Sequence, residues 1–184
     1  METARYALAQ RLLHWLIALL VLALLGVGMV FAFLEFDEIR ATFGAQATDA
    51  LYAYHKTFGI LVLALMLLRL GLRLRLGAPP YRPPLSGLER IASRIVHGLL
   101  YLTLLAMPIL GWLATAASDY PVQFFDMRLP APIGKDKALG ATLFQLHALV
   151  GWLLLGLVVV HIGAALWHWR VRRDGVMARM SLLR

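Results

Sequence analysis

Two histidines stand fourteen residues apart in one apolar segment, LFQLHALVGWLLLGLVVVHIGAALWHW, as His147 and His161. On an α-helix, fourteen steps of about 100° return to within about 40° of the starting direction and advance about 21 Å. Both imidazoles would therefore face the same side of one helix, one near each leaflet of a bilayer. Because an imidazole inside a membrane is costly unless it is bound, the spacing predicts two haems held at two depths in a four-helix bundle.

The composition is that of an integral membrane protein. Of 184 residues, 61% are hydrophobic and 15% are charged, and the mean hydropathy is +0.74, which is too apolar for a soluble domain of this size. The chain contains no cysteine, which excludes disulfides, iron–sulfur clusters, thiolate zinc sites and covalent c-type haem. We therefore expect one all-α transmembrane domain over residues 1–184, surrounded by the lipid bilayer.

Four apolar stretches are long enough to cross a bilayer as helices. They cover about residues 8–34, 51–74, 91–117 and 143–169. Thirteen of the eighteen basic residues lie at the N-terminus, in the second link and in the C-terminal tail. The positive-inside rule then predicts that both termini are cytoplasmic and that the first and third links, both expected to be loops, face outward. The net charge of +8 follows from this asymmetry and does not indicate a nucleic-acid partner.

The alternating direction of the spans places the remaining histidines at two depths. His55 and His147 each lie about one turn from the outer surface, on different helices. At the inner level, His161 can pair with His14 or with His97, and the depth argument leaves both pairings open. Bis-imidazole ligation of a b-type haem needs two histidines at one depth on facing helices, and each level offers such a pair.

Glycine and arginine accompany these histidines at helical spacing. His55 and Gly59 form the pattern H-x-x-x-G, as do His147 and Gly151, and a glycine one turn from a ligand leaves room for a porphyrin plane. Arg69 follows His55 by fourteen residues, on the same stripe and at the inner level. We expect Arg69 to bind a haem propionate through its guanidinium, with contact to the inner headgroups as the alternative.

Two other interpretations of the histidines fit less well. A shared zinc site is excluded because about 21 Å separate His147 from His161, whereas zinc ligands converge within about 2 Å of one ion. A transporter would need broken helices and buried acids, and the central parts of the spans contain no Asp or Glu. A haem-free structural or transport protein with four helices is therefore the weaker alternative.

The arrangement resembles the bacterial cytochrome b561 family of small di-haem membrane proteins over nearly the whole chain. The resemblance rests on LLHW with His14 and Trp15, on His55, Gly59 and Arg69, on a histidine early in the third span, and on His147 and His161 followed by His168. It implies a membrane four-helix bundle with two haems b between the helices. By the same resemblance, the axial ligands would be His14 and His161 for the inner haem and His55 and His147 for the outer haem.

The resemblance also implies electron transfer with quinone in a bacterial inner membrane. Stand-alone members of this size look similar to superoxide oxidase, which takes an electron from superoxide outside the membrane and passes it to ubiquinone. By that analogy Trp15 and His168 would border a ubiquinone pocket on the inner side, with His168 as its acid/base group. Other relatives are haem subunits that connect a partner dehydrogenase or hydrogenase to quinone, so a non-catalytic relay for a redox partner protein is the alternative.

An anionic donor such as superoxide would have to reach the outer haem edge. Lys56 adjoins His55, and the third link carries three more basic residues, Arg128, Lys135 and Lys137. The two outer links together hold seven acidic and five basic residues, so their summed field is slightly repulsive. Only a local basic patch around Lys56 would steer the anion.

Overall fold

The computed structural model describes residues 4–183 and is built around four long helices. These are α1 (Leu8–Phe33), α3 (Ala45–Leu76), α4 (Gly87–Ala117) and α5 (Lys137–Trp167). Each is long and apolar enough to cross a bilayer, so the predicted all-α membrane four-helix bundle is confirmed. Arg184, one of the basic residues counted for the orientation, lies outside the described residues.

The first and third links contain regular structure that the sequence analysis treated as loop. A short helix, α2 (Phe36–Phe43), separates α1 from α3, and a hairpin of β1 (Gln123–Phe124) and β2 (Met127–Arg128) separates α4 from α5. The strands pair antiparallel. The prolines that predicted a loop here lie outside the two paired segments, so they remove no hydrogen bond from the ladder.

Side-chain caps mark the beginnings of α4 and α5. The α3 and α5 helices start at Ala45 and Lys137, before positions 51 and 143, because a helix can continue beyond the apolar layer that defines a span. The Asp136 side chain caps α5 by accepting a backbone N–H of its first turn at 3.0 Å. Ser86 and Glu89 form a reciprocal capping box at the start of α4, with hydrogen bonds of 3.3 and 2.9 Å.

The core of the bundle lies at mid-height. The α3 helix packs on α1 and α4, and α5 packs on α4 and α1. The buried cluster consists of Leu13, Ile17, Val21, Val62, Met66 and Leu154. Val62 and Met66 lie between His55 and Arg69 in the sequence, and Leu154 lies between His147 and His161. Apolar packing therefore separates the two predicted levels. Large side chains on the outer faces stay exposed, among them Leu19 at 67% and Val159 at 62%, because these faces contact lipid.

The two ends of the bundle differ. We call the end where α1 begins, α5 ends and the α3–α4 link lies the terminal end, and the end with α2 and the hairpin the hairpin end. At the terminal end, the segment after α5 folds back onto α1, where the Tyr6 backbone N–H donates to the Arg179 carbonyl at 3.1 Å. Arg179 is buried, donates to the Pro79 carbonyl and lies 3.7 Å from the centre of the Tyr81 ring. The C-terminal segment is therefore part of the terminal surface.

Candidate haem-binding sites

Two histidines from α3 and α5 face each other near the hairpin end. The ring centroids of His55 and His147 are 6.3 Å apart, and the ring planes are inclined by 73°. Both residues are half-buried. The fold therefore brings together the two histidines that the sequence places at the outer level.

The hydrogen bond of His147 fixes how its imidazole is presented. Its Nδ1 donates to the backbone carbonyl of Met107 on α4 at 3.0 Å, since a carbonyl can only accept. With the proton on Nδ1, the lone pair of Nε2 stays free, which is the form of histidine that binds a metal. The Nδ1 atom of His55 is buried and has no hydrogen-bond partner within residues 4–183. A buried polar atom of this kind indicates that the protein alone does not complete the site.

A cavity of about 1040 Å³ surrounds this pair and is lined by all four long helices. Gly59 and Gly151, the two glycines predicted to clear a ligand plane, both lie in its wall. A Cβ atom added to Gly59 would meet nothing within 4 Å, and one added to Gly151 would meet only the Met107 side chain, at 3.5 Å. Both glycines therefore border open space beside the histidines, as a flat group between helices requires.

Two further glycines, which were not predicted from the sequence, lie close to the histidine rings. A Cβ atom on Gly28 of α1 would lie 3.9 Å from Cε1 of His55. A Cβ atom on Gly111 of α4 would lie 3.1 Å from Cε1 and 3.3 Å from Nδ1 of His147. The distances from position 111 are shorter than ordinary van der Waals contact, so a side chain there would force the imidazole of His147 to shift by a few tenths of an ångström.

The fourteen-residue spacing that relates His147 to His161 also relates these two glycines to histidines on their own helices. Gly28 follows His14 by fourteen residues, and Gly111 follows His97 by fourteen. Each long helix thus carries one stripe with a residue at each level. The hairpin-end level holds Gly28, His55, Gly111 and His147, and the terminal-end level holds His14, Arg69, His97 and His161.

At the terminal end, His161 has two histidine neighbours. Its ring centroid lies 6.2 Å from that of His14 and 5.2 Å from that of His97. The Nδ1 atom of His97 donates to the Ser93 carbonyl one turn earlier in α4, at 2.6 Å. Trp15 contacts His14 edge to face, with the ring centroids 5.3 Å apart. The fold therefore brings all three inner histidines within contact distance, and it does not separate the two pairings by depth.

Ring separation tests which pairs fit an iron porphyrin. An imidazole nitrogen binds a transition metal at about 2 Å, and the ring centroid lies about 1.1 Å behind that nitrogen, so two imidazoles on opposite sides of one ion have centroids about 6.3 Å apart. The His55–His147 and His14–His161 separations of 6.3 and 6.2 Å agree with this value. The His97–His161 separation of 5.2 Å is too short. The donor sets at both levels thus fit a bis-imidazole haem.

Arg69 is directed into the bundle at the terminal-end level. The side chain is half-buried, and Nη1 donates to the backbone carbonyl of Gln10 on α1 at 3.1 Å. Gln10 lies one turn before His14 and is itself buried, with its amide donating to the Gly77 carbonyl at 3.2 Å. The guanidinium is therefore held among the helices, beside the inner histidines.

Trp15 and His168, predicted to border a quinone pocket, both belong to the terminal end. The indole N–H of Trp15 donates to the Met180 carbonyl of the C-terminal segment at 2.9 Å. His168 begins a π-helical turn after α5, and its Nδ1 donates to Asp174 Oδ2 at 2.6 Å. Arg172 joins this group through Glu89, at 3.2 Å. His168, Asp174, Arg172 and Glu89 thus form one group of hydrogen-bonded and ion-paired side chains at the terminal end.

The four basic residues expected to attract an anion differ in how far their charged groups already contact other groups of the protein. The Lys56 ammonium lies in the cavity wall and donates to the Pro121 carbonyl at 3.0 Å. Lys135 forms an ion pair with Asp119, and the hydrogen bond and charge of this lysine lower the pKa of the Asp119 carboxyl. This pair stays ionised at neutral pH, so Asp119 offsets much of the positive field of Lys135.

Comparison with known proteins supports a single family. A family model described as prokaryotic cytochrome b561 matches residues 5–181. Cytochrome b561 homolog 1 of Escherichia coli (strain K12) is 30% identical over 181 residues, covering 96% of each chain. Cytochrome b561 homolog 2 of the same organism is 28% identical over 177 residues, covering 96% of this chain and 90% of the relative. A protein named probable superoxide oxidase CybB, from Yersinia pestis, is 27% identical over 176 residues, covering 96% and 95%.

The family match covers both histidine levels, the four long helices and the links between them. A cytochrome is a haem protein, and the paired imidazoles provide donors of the kind that a b-type haem takes. The chain therefore belongs to the prokaryotic cytochrome b561 family and is a haem-binding, multi-pass membrane protein of electron transport.

Proposed function

We propose that this cytochrome binds two haems b and transfers electrons from superoxide on one side of the membrane to ubiquinone on the other. In this proposal His55 and His147 hold the haem at the hairpin end, and His14 and His161 hold the haem at the terminal end. Haems held by these residues would supply one-electron transfer. The overall reaction oxidises two superoxide anions to oxygen and reduces one ubiquinone to ubiquinol, with uptake of two protons.

The observation that carries this proposal is the pair of equal imidazole separations at two levels. The separations of 6.3 and 6.2 Å arise on different helix pairs, α3 with α5 and α1 with α5. A direct hydrogen bond between two imidazoles would bring their centroids closer, and the same longer separation recurs at both depths, as two equivalent ligand pairs require. The cavity at the hairpin end, with Gly59 and Gly151 in its wall, supports the same assignment.

Arg69 is proposed to bind a propionate of the haem at the terminal end. Its guanidinium carries five N–H donors in a planar fork that matches a carboxylate, and the Gln10 carbonyl accepts from one of its terminal nitrogens. That contact holds the side chain at the level of His14 and away from the surface. A charged group kept at this depth is stabilised by an anionic partner.

The quinone site is proposed at the terminal end, beside Trp15 and His168. Reduction of ubiquinone needs protons as well as electrons, and His168 is placed to supply them. Its Nδ1 donates to Asp174, and this hydrogen bond orients the imidazole so that Nε2 faces away from the carboxylate. Arg172 lies between Asp174 and Glu89, at 3.9 and 3.2 Å, and helps to hold the Asp174 carboxylate in place. Trp15 contributes an apolar ring that contacts His14.

The superoxide side is proposed at the hairpin end, where Lys56 lies next to His55. An anion that reaches the cavity beside His55 and Lys56 would be close enough to donate an electron to a haem held there. Lys56 attracts it from the cavity wall, although part of its donor capacity is used by the Pro121 carbonyl. Arg128 also lies at this end and extends the positive field.

The proposed orientation is a bacterial inner membrane with both termini in the cytoplasm. The terminal end contains Arg11, Arg69, Arg73 and Arg75 together with the arginines of the second link and the C-terminal segment. The hairpin end carries the acid-rich links. This asymmetry supports the orientation through the positive-inside rule. In this orientation superoxide would be oxidised outside the cell membrane and ubiquinone would be reduced on the inner side.

Rapid mixing tests the proposal. Purified protein with bound ubiquinone is mixed with superoxide, and haem absorbance and residual superoxide are followed together. We expect two haems per chain, and reduction of the haem faster than spontaneous dismutation removes superoxide. A protein that contains both haems but consumes superoxide no faster than buffer alone is instead an electron relay. Copurification with a dehydrogenase or hydrogenase would support that alternative.

A further inference from the structure

The hairpin carries an aromatic tip for which the protein itself provides little cover. The register pairs Phe124 with Met127, so Phe125 and Asp126 form a two-residue turn. Phe125 has a positive φ of 52°, in a position where hairpins usually place glycine or asparagine. Its side chain is 55% exposed. Because this backbone conformation is unfavourable for a large apolar residue, we expect an apolar environment around the ring.

The position of the tip is fixed by the roots of the hairpin. The Thr57 hydroxyl of α3 donates to the Gln123 carbonyl at 3.2 Å, and Lys56 donates to the Pro121 carbonyl at 3.0 Å. On the other side, the Trp112 indole of α4 donates to the Pro130 carbonyl at 3.2 Å. The hairpin is thus attached to two transmembrane helices, and its tip cannot swing freely into water.

The tip lies against an aromatic pair on the outer surface of α3. The ring of Phe125 meets Phe58 edge to face, with centroids 6.4 Å apart, and Phe58 stacks with Tyr54 at 6.0 Å. Tyr54 is 55% exposed. Phe124 adds a further ring, with its centroid 5.0 Å from that of Phe125. These four residues, Tyr54, Phe58, Phe124 and Phe125, form what we call the aromatic tip cluster.

The cluster continues a face of α3 that must contact lipid. At about 100° per residue, Tyr54, Phe58, Leu61 and Leu68 fall within about 80° of one another around the helix. Leu68, a dozen residues along the apolar run from Lys56 to Arg69, is 54% exposed, which inside a membrane means contact with acyl chains. Phe58 lies two residues inward of Lys56, the charged residue that begins this run. Phe125 therefore sits at the margin of the hydrocarbon layer.

We propose that the hairpin tip inserts into the lipid interface, with Phe125 and the neighbouring exposed Met127 in contact with acyl chains of the bilayer. The occupant is lipid because the tip is continuous with the lipid-facing stripe of α3 and is rich in the aromatic and apolar groups that favour this depth. The link that composition assigns to the aqueous phase is thus part of the membrane-embedded surface. This inference does not depend on haem or on the electron donor.

The lack of cysteine makes a direct test possible. Single-cysteine variants Phe125→Cys and Met127→Cys are labelled with a nitroxide in the haem-loaded protein and reconstituted into vesicles of phosphatidylethanolamine and phosphatidylglycerol. Leu68→Cys is the reference for lipid, and Lys135→Cys, in the same link, is the reference for water. Power saturation measures collisions of each label with oxygen, which concentrates in lipid, and with a water-soluble nickel chelate.

We expect the Phe125 label to resemble the Leu68 label, with an oxygen-to-nickel collision ratio several times that of the Lys135 label. The Met127 label gives the same result and decides the question if Phe125→Cys does not fold. A ratio equal to that of the Lys135 label places the tip in water and overturns the proposal. Immobilised labels shielded from both reagents indicate contact with another protein or a second copy of the chain, and they overturn it as well.

Discussion

Gly111 on α4 lies so close to His147 on α5 that a Cβ atom on the glycine would come within 3.1 Å of the imidazole Cε1. The same helix supplies the Met107 carbonyl that accepts the Nδ1 proton of His147. One turn of α4 therefore sets both the distance and the tautomer of an imidazole that belongs to another helix. The residue that positions the proposed ligand is a glycine, and its contribution is the space that it leaves.

Gly111→Ala should displace His147 and weaken haem binding at the hairpin end. A methyl group at 3.1 Å forces a shift of a few tenths of an ångström, and the Met107 hydrogen bond resists it. We expect haem content to fall by up to half, with altered bands from the remaining haem at that level, measured by a pyridine haemochrome assay and absorption spectra. Gly98→Ala, on the same helix with nothing within 4 Å, is the control. It should keep both haems, and helix propensity favours it by about 1 kcal/mol. Equal losses in the two variants would remove the positioning role of Gly111.

His147→Ala and His161→Ala should each remove one haem and leave the other. The two imidazoles belong to separate pairs at opposite ends of α5, and the apolar core lies between the levels. Haem-to-protein ratios near one in both variants, with different residual spectra, would show two independent sites. Circular dichroism controls for folding. If each variant retains helix but loses both haems, the levels are not independent.

His14 and His97 should differ when each is replaced by alanine. The ring separation from His161 is 6.2 Å for His14 and 5.2 Å for His97, and only the longer value leaves room for an iron between two imidazoles. His14→Ala is expected to lose the haem at the terminal end, and His97→Ala to keep both. Haem content and the reduced-minus-oxidised spectrum distinguish them. The reverse result would exchange the two ligand assignments.

Asp119→Asn should make the hairpin end more attractive to superoxide. The substitution frees Lys135 from its ion pair, and asparagine tolerates the positive φ of 63° at this position. Because Lys135 lowers the pKa of Asp119, the carboxyl is ionised throughout the neutral range, so the variant removes a full negative charge. We expect a rise of about twofold in the second-order rate with superoxide at low ionic strength. The gain should disappear at high salt, and a gain that survives salt would point to a cause other than charge.

His168→Ala should slow ubiquinone reduction while keeping both haems. A positioned acid/base group contributes about 100-fold or more to a proton-coupled step, and His168 is the imidazole that donates to Asp174 at the terminal end. Haem reduction by superoxide should be unchanged, so reduced haem should accumulate in stopped-flow traces. Asp174→Asn keeps the shape of the site and should give a smaller effect of the same kind. Loss of a haem in His168→Ala would instead make this histidine a ligand.

The periodicity of the sequence determined the membrane bundle and its two levels. Hydropathy defined four apolar helices because a bilayer requires about 20 apolar residues for each crossing. The fourteen-residue interval placed His55 with His147 and put His161 on the inner level, because helical geometry is the same in every span. The same interval leads to Gly28 and Gly111, but the role of a glycine can be recognised only from the residue that it faces on the neighbouring helix.

Only the tertiary structure decided contacts between helices, because helical periodicity fixes depth along a helix and not the distance to a neighbour. The neighbours of His161 are such a case, since His14 and His97 lie at one level and only the structure gives their ring separations from His161, 6.2 and 5.2 Å. The Met107 carbonyl that orients His147 belongs to a different helix, so no local sequence pattern predicts this contact. The Lys56 contact with Pro121 and the Lys135 pair with Asp119 depend on how the third link folds back over α3 and α4. That path is set by hydrogen bonds between residues far apart in the chain, which composition and spacing do not encode.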